Sequence, residues 1–262
     1  MNKKLTYILG LICIIFFTSC EDIIDLDLAN SEPRVVIEAV ADMNTSTIVV
    51  DVSLTTEFFG EAIPNQVTDA NIIFRNAAGE EIEVPVGADG RYTLSPINVV
   101  SGETYEIEVT VDDVTYRAET EAPFPVDLLA VDTIFNEPFF EGGDPFYQSL
   151  YIWQDAPGQE NHYQLRTFAN DTLVGPFAYY DDDGLDGQTF VRPLMYPVEV
   201  GDTVRFQLLS IDEETYDYFI QLESALNQGF NSTTPFNPTG NFDNDGLGYF
   251  GINVYNELMI QF

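Results

Sequence analysis

The chain has 262 residues, and 44 acidic residues against 9 lysines and arginines give it a formal net charge of −35. Such a strong negative field repels nucleic acids and anionic lipid headgroups, so nucleic-acid binding is excluded as a function class. Apolar residues still make up 45% of the chain and aromatic residues 13%, which is enough to build hydrophobic cores and argues against intrinsic disorder.

The first 19 residues have the pattern of a secretory signal peptide. Two lysines form a positive start, an apolar run follows over residues 5–17, and small residues precede Cys20. The apolar run is too short to span a bilayer, which needs about 20 residues. The small residues and the cysteine resemble a bacterial lipobox, which predicts removal of residues 1–19 and lipid modification of Cys20. The alternative is an unmodified cysteine after an ordinary secretory signal.

The cysteine count supports lipidation of Cys20. The only other cysteine, Cys13, lies inside the predicted signal peptide, so no intramolecular disulfide can form after cleavage. Two or three acyl chains hold a protein stably on a membrane. Cleavage also removes both lysines, and the 7 arginines and 44 acidic residues that remain give a net charge of −37. Residues 20–33 are then an acidic tether between the lipid and the first domain.

Residues 34–122 are predicted to form a β-sandwich of the immunoglobulin or transthyretin type. Segments with alternating or β-branched residues are separated by turn signals, as expected for short antiparallel strands. These segments are RVVIEAVA, TIVVDVSL, ANIIFR, EIEVPV, TYEIEVTV and VTYRAET. The two prolines in EAPFP, residues 121–125, then mark a domain boundary.

Residues 123–262 are predicted to form a second β-rich domain that carries one helix. Its strand segments are FYQSLYIWQD, NHYQLRTFA, DTLVGPFAYY, QTFVRPL, DTVRFQLLSI and GLGYFGINVYNELMI. A helix is predicted over about 212–228, with Ser210 and Glu213 as its capping box and Gly229 as its stop. Its apolar stripe consists of Tyr216, Phe219, Leu222 and Leu226. The predicted fold class is therefore mainly β.

Several segments of the sequence, taken in order, resemble those of one known family. They are CEDIIDLDL, PRVVIEA, DAPGQENHYQLR, DDDGLDGQTF, GDTVRFQLLSIDEETYDYF and PFNP followed by GLGYFG. Together they resemble the lipoprotein family of Bacteroidota catalogued as domain of unknown function 4249. The resemblance implies an outer-membrane lipoprotein, often encoded beside a TonB-dependent transporter, and it implies no known reaction or ligand. Where that family usually has two tyrosines, this chain has His162 and Tyr163.

Two acidic loops are candidate cation sites, because Ca²⁺ binds six to eight oxygen ligands. The first, DDDGLDG, contributes Asp181, Asp182, Asp183 and Asp186, but it lacks the alternating ligand spacing of a calcium loop. The second contributes Asn241, Asp243 and Asp245, and resembles the start of an EF-hand loop, but Ile252 stands where a bidentate glutamate is needed. The sequence therefore favours solvated acidic turns at both places and predicts no cofactor, with Ca²⁺ as the alternative.

The sequence does not contain the residue motifs of the common serine-hydrolase and zinc-hydrolase sites. Its one histidine, His162, lies in a predicted strand, and neither G-x-S-x-G nor H-E-x-x-H occurs. A glycosidase needs only two carboxylates about 5–10 Å apart, a requirement that a chain with 44 acidic residues leaves open. We therefore expect a protein that is not an enzyme.

Short motifs and aromatic clusters add weaker expectations. Thr133, Thr172 and Thr203 each follow an aspartate, a pattern that resembles the O-glycosylation acceptor of exported proteins in the phylum. Aromatic residues alternate with glycine, proline and acids in EPFFEGGDPFY, GPFAYYDDD and GLGYFG, as in core and turn packing or in exposed rings that bind a partner.

The function expected from these features is that of a non-catalytic accessory or cargo-binding partner of a TonB-dependent transporter. The alternative is a surface adhesin or glycan-binding protein, and the third choice is a carboxylate-based glycosidase. Localisation is expected at the outer membrane through the lipid on Cys20. The acidic pair Glu21 and Asp22 after that cysteine resembles the acidic surface-export signals of the phylum, although it is shorter, and this resemblance slightly favours the cell surface over the periplasmic face.

Overall fold

Fifteen strands and one helix make up most of the residues that the structure, a computed structural model, describes. The described residues are 33–56, 65–137, 146–198, 201–226 and 236–262. The predicted signal peptide, Cys20 and all of the predicted tether except Pro33 lie outside them. None of the described helices combines the length and the apolar character needed to cross a membrane.

The strands follow the segments predicted from the alternation of apolar residues. In the first part of the chain they are β1 (Val35–Asp42), β2 (Thr47–Leu54), β3 (Asn65–Gln66), β4 (Asn71–Arg75), β5 (Glu81–Glu83), β6 (Tyr92–Leu94), β7 (Thr104–Val111) and β8 (Val114–Glu121). In the second part they are β9 (Leu128–Asn136), β10 (Phe146–Gln154), β11 (His162–Ala169), β12 (Thr172–Asp181), β13 (Thr189–Val198), β14 (Thr203–Ile211) and β15 (Leu247–Gln261). The mainly β fold class is confirmed, whereas β3, β6 and β9 were not predicted.

Three sheets form from these strands. The largest runs in the order β12-β11-β14-β15-β1-β2-β3, with β6 beside β2. A second sheet has the order β5-β4-β7-β8, and a third has the order β13-β10-β9. Each small sheet packs against the large one across one hydrophobic cluster. Strand β15 supplies Phe250 and Ile252 to the first cluster and Leu258 and Ile260 to the second, and residues at this even spacing lie on one face of a strand. The packing of these described sheets is sandwich-like.

Strand β15 joins the two halves of the large sheet. Its first residues pair in parallel with β1, from Leu247 opposite Val36 to Asn253 opposite Asp42. Its later residues pair antiparallel with β14, from Asn253 opposite Ile211 to Gln261 opposite Thr203. The same strand therefore completes the hydrogen bonding of two sheet segments that lie far apart in the sequence.

Two hydrophobic clusters lie between the sheets. The first contains the inward residues of β1, β2, β4 and β7, and the last part of the chain adds Phe242, Phe250 and Ile252 to it. The second centres on Trp153, whose ring stacks on Phe190 at 4.8 Å between centroids. Each large side chain that is fully buried contributes about 1.5–3 kcal/mol. Most residues of the first cluster precede residue 123 and all residues of the second follow it, while β15 contributes to both clusters.

The helix α1 (Glu213–Leu226) confirms the one helix predicted near residues 212–228, within the described part of the chain. It packs on the outer face of the large sheet, where the rings of Tyr218 and Phe219 lie 4.9 and 5.1 Å from that of Tyr249. The predicted stripe was wrong at its end, because Leu226 is 76% exposed. Residues 227–229, which include the predicted stop, lie outside the described residues.

The predicted capping box was also wrong. Ser210 belongs to β14, where it pairs with Tyr163 and Val254, so it cannot begin the helix. The helix begins after Asp212 instead, whose carboxylate accepts a hydrogen bond of 2.7 Å from the backbone N–H of Thr215. Aspartate is a preferred residue at this position, because its side chain satisfies a free N–H of the first turn.

Candidate functional site

An open cleft lies where α1 begins, and it is the first candidate for a binding site. Three segments form its walls: the chain after β8, the loop between β10 and β11, and the junction between β14 and α1. The cleft has a volume of about 390 Å³. Its lining residues are Glu121, Ala122, Pro123, Phe124, Gln159, Glu160, Asn161, His162, Ser210, Ile211, Asp212, Glu213 and Glu214.

Asp212 fixes the wall of the cleft that α1 supplies. Besides capping the helix, its carboxylate accepts hydrogen bonds from the Thr215 hydroxyl at 2.9 Å and from the Ile252 backbone N–H at 2.8 Å. Burial raises the pKa of Asp212 to about 6, and the three donors counteract this rise. Since Ile252 belongs to β15, the carboxylate fastens the start of the helix to the large sheet.

The electrostatic character of the cleft is acidic. Five of its lining residues carry carboxylates, and none is an arginine or a lysine. Phe124 adds an apolar surface, because its ring is 43% exposed. A site of this kind repels anions and suits a neutral or cationic ligand that has both polar groups and an apolar face.

His162, Ser210 and Asp212 line this cleft together, but no hydrogen bond among the described residues links them into a catalytic triad. The His162 ring packs on Tyr216, 4.7 Å between centroids, and the residue is buried. The Ser210 hydroxyl is buried without a hydrogen-bond partner in the described part of the chain. The Asp212 carboxylate is engaged by Thr215 and Ile252. A nucleophile, base and orienting acid in contact would be needed for that chemistry.

A cluster of three carboxylates includes the first residue of the β10–β11 loop, whose later residues line the cleft. Asp155, at the end of β10, lies beside Asp182 and Asp186 of the β12–β13 loop, and oxygens of all three fall within 4.8 Å of one another. Two of the four predicted ligands of the first acidic loop therefore come together. The other two do not join them, because Asp181 accepts a 2.7 Å hydrogen bond from Tyr216 and Asp183 is exposed.

The sequence analysis missed Asp155. It lies 27 residues before Asp182 in the sequence, so no local spacing connects the two. The structure shows that Asp155 accepts a short hydrogen bond from the Tyr163 hydroxyl and one of 2.7 Å from the Gly187 N–H. Burial, and then the contact with Asp155, raise the pKa of Tyr163 above its ordinary value. The signal available in the sequence for Asp155 as a candidate site residue was its position directly after a buried strand.

The second predicted cation loop has structural hydrogen bonds instead. The Asn241 amide bonds both the N–H and the C=O of Phe250, at 2.9 and 2.8 Å. The Asp243 carboxylate accepts a 2.6 Å bond from the Arg117 N–H, and the Asp245 carbonyl accepts one from the Arg34 side chain. The side chains of Asn241, Asp243 and Asp245 are not brought into a carboxylate cluster among the described residues. This loop fastens β15 to β8.

The three candidate glycosylation threonines have different surroundings. Thr172 and Thr203 are exposed at the starts of β12 and β14, where an enzyme has access to them. Thr133 is half-buried in β9, opposite Ser149. Modification of these residues remains a prediction, as does lipidation of Cys20, which lies outside the described residues.

Comparisons with known proteins assign the chain to a family for which no activity is described. No curated protein matches the sequence. Among solved structures, the chain is similar to a chain of the structure titled "Cytokine receptor complex - Crystal form 1A". The two sequences are 8% identical, the match covers 86% of this chain and 95% of that chain, and the TM-score is 0.29. A score this low carries no argument about function. The sequence model of one family matches residues 21–258, and the chain therefore belongs to the family described as Domain of unknown function (DUF4249).

Proposed function

We propose that this chain is a lipid-anchored protein of the outer membrane that works by binding, as a non-catalytic accessory or cargo-binding partner of a TonB-dependent transporter. The observation that carries the binding role is the open cleft of about 390 Å³ at the start of α1. Ligand pockets in proteins have volumes of about 300–1,000 Å³. The resemblance of the sequence to its lipoprotein family supports the transporter partner, and the lipobox at Cys20 supports the anchor.

The lining of the cleft defines the class of cargo. Its carboxylates and the absence of cations among its lining residues disfavour phosphorylated or carboxylated molecules. The Gln159 amide and the carboxylates of Glu160 and Glu213 supply hydrogen-bonding groups, while Phe124 supplies a flat apolar surface. The cargo we propose is therefore a neutral or cationic molecule with hydroxyl or amine groups.

A surface adhesin or glycan-binding protein is the second candidate. The exposed ring of Phe124 beside acidic and amide side chains favours it, because an aromatic face with polar neighbours suits the apolar side of a sugar. A carboxylate-based glycosidase would use the same lining and is the third choice. The two binding functions differ in whether a transporter is needed.

A purification under mild detergent separates these functions. The tagged, full-length protein is isolated from its native envelope, and mass spectrometry identifies what co-purifies. A TonB-dependent channel in stoichiometric amount is the expected result. A monomer that binds a glycan array without a channel would favour the adhesin and overturn the docking proposal.

Two matched variants test whether the cleft binds the cargo. Phe124→Ala removes the exposed ring of the cleft, whereas Phe236→Ala removes a ring of similar exposure, 45% against 43%, that is not among the lining residues. We expect cargo affinity to fall about tenfold or more in the first variant and to stay unchanged in the second. Equal affinities would place cargo binding elsewhere on the protein.

A protease treatment of intact cells tests the location. The membrane fraction that holds the protein is first identified by separating inner and outer membranes. Added protease then degrades the protein if it faces outward, which is the orientation we propose. Full protection, followed by degradation after the outer membrane is opened, would place the protein on the periplasmic face.

A further inference from the structure

The helix α1 covers only part of the outer face of the large sheet. Its rings pack on His162 of β11 and on Tyr249 of β15. Arg166 lies four residues after His162 on β11 and therefore points to the same outer side. Arg205 of β14 is its diagonal neighbour, because Arg166 stands opposite Gln207. Diagonal neighbours lie about 7–8 Å apart. Beyond α1, the outer face thus presents two arginines side by side.

The side chains around these two arginines are apolar and exposed. Leu173, Phe177 and Met259 are 43%, 38% and 63% exposed. Strand register places Leu173 beside Phe168, Phe168 beside Arg205, and Arg205 beside Met259 in one row across the sheet. We call this surface the arginine face, and it consists of Arg166, Phe168, Leu173, Phe177, Arg205 and Met259. Arginine, methionine and aromatic residues are enriched where proteins bind one another, so its composition is that of a protein interface.

The two guanidinium groups have few partners in the described part of the chain, although each carries five N–H donors. Arg166 forms no ion pair there, and its Nε donates a hydrogen bond of 2.8 Å to the Gln164 amide oxygen. The Nε of Arg205 is buried without a partner among the described residues. The carboxylates of Asp171 and Glu257 stand 3.7 and 4.0 Å from the terminal nitrogens of Arg205, too far for hydrogen bonds. Native structures normally satisfy such donors, so the unused ones point to a ligand.

Both arginines are held in position before a partner binds. The Arg166 guanidinium lies 5.6 Å from the centre of the Phe177 ring, and the Arg205 guanidinium lies 4.3 Å from that of Phe168. Contacts of this length between a cation and an aromatic ring are attractive. Burial lowers the pKa of Arg166, because its guanidinium is partly removed from water. A cation that is already positioned and partly desolvated binds an anion at a lower entropic and desolvation cost.

We propose that the arginine face binds an acidic segment of a partner protein, whose carboxylates pair with Arg166 and Arg205. Arginine binds a planar carboxylate through two parallel hydrogen bonds. In an extended segment, alternate residues lie on one side about 7 Å apart, so two acids at this spacing match the two arginines. The exposed apolar side chains of the face suit apolar residues that flank the acids.

The shape and charge of the arginine face favour a protein segment over other anions. The cavity beside Arg166 has a volume of about 20 Å³, whereas pockets for small molecules have about 300–1,000 Å³. The net charge of −35 repels polyanions such as nucleic acids. Salt screens distant charges beyond about 8–10 Å, so a short acidic segment mainly experiences the two arginines next to it. The face shares no residue with the cleft, and the proposal depends on neither a transporter nor a cargo.

Fluorescence polarisation of two labelled peptides tests the arginine face, with the full-length protein in detergent. The acidic probe has the sequence Leu-Glu-Thr-Glu-Leu, and the neutral probe has glutamine in place of both glutamates. Because only the acidic probe has carboxylates, we expect it to bind about tenfold or more tightly than the neutral probe. Equal affinities of the two peptides, or no binding of the acidic probe at millimolar concentration, would refute the proposal.

Two matched variants locate the binding of the acidic probe. Arg166→Lys keeps the charge but removes the planar pair of donors, so the acidic probe should bind about fivefold or more weakly. Arg192→Lys is the control, because Arg192 also forms no ion pair among the described residues and lies 4.8 Å from the centre of an aromatic ring, that of Phe190. It belongs to β13 of the third sheet, so this variant should bind the probe like wild type.

The contrary outcomes of the variants are distinct. An unchanged affinity in Arg166→Lys would show that the acidic probe binds elsewhere, which overturns the proposal. An equal loss in Arg166→Lys and Arg192→Lys would show that the probe does not distinguish the arginine face from other arginines, with the same consequence. If Arg166→Lys does not fold, as judged by circular dichroism, Arg205→Lys decides, because the same fivefold loss is expected of it.

Discussion

Asp212 provides the sharpest test of how this fold is held together, because a single buried carboxylate joins α1 to β15. Replacing it with asparagine preserves the size of the side chain but removes the charge. One amide oxygen cannot accept all three hydrogen bonds that Thr215 and Ile252 donate. The variant therefore loses a constant amount of stability and also loses its dependence on the protonation of residue 212.

The magnitude of the pH dependence follows from the pKa. Burial raises the pKa of Asp212 from 3.8 to about 6, a shift of about two units, and each unit corresponds to about 1.4 kcal/mol. Since the folded-state pKa lies above the unfolded one, the folded state binds more protons between these values. The stabilisation by protonated Asp212 is complete below pH 3.8 and is lost as the pH rises through about 6. The free energy of unfolding should fall by about 3 kcal/mol across this window.

Urea denaturation from pH 4 to pH 8 measures this difference. The stability of wild type should decline relative to Asp212→Asn as the pH rises, while Asp217→Asn, an exposed change in the same helix, should parallel wild type. Because the overall negative charge affects all three proteins alike, the difference between their curves isolates Asp212. Parallel curves for wild type and Asp212→Asn would refute the assigned pKa shift and the desolvation argument behind it.

Three further changes have defined outcomes. Tyr151→Phe leaves the buried Thr167 hydroxyl without its 2.7 Å partner and should lower the free energy of unfolding by about 1–3 kcal/mol, measured in urea. Gly251→Ala places a methyl group 1.9 Å from the Thr215 hydroxyl, so α1 must shift, and we expect a lower melting temperature with about 1–3 kcal/mol lost. Cys20→Ser should release the protein from the membrane fraction, as detected by immunoblotting, and continued membrane association would contradict lipid anchoring.

The strands could be predicted from the sequence because their buried residues alternate. In β7, Tyr105, Ile107 and Val109 point inward and the residues between them do not, which gives the period of two that the sequence shows. Strand β9 lacks this regular pattern, since Leu129 and Phe135 are exposed on a partly covered sheet. Local sequence therefore predicts a strand only where one face is continuously buried.

Features that depend on distant pairing could not be predicted from the sequence. The spacing of Ser210 and Glu213 suggested a capping box, but pairing with β15 keeps Ser210 in a strand. Likewise, the alignment of β10 with β13 brings Asp155 to the β12–β13 loop, where Asp182 lies. In both cases the structure depends on contacts between residues that are far apart in the sequence, and local sequence patterns do not reveal such contacts.

The shared strand β15 also has a consequence for the order of folding. It follows β1 to β14 in the chain, so it leaves the ribosome after all of them, and β1 must wait about 200 residues for its parallel neighbour. Until then the inward faces of both halves lack Phe250, Ile252 and Leu258. Nascent chains of this protein should therefore remain loosely folded until β15 has been synthesised.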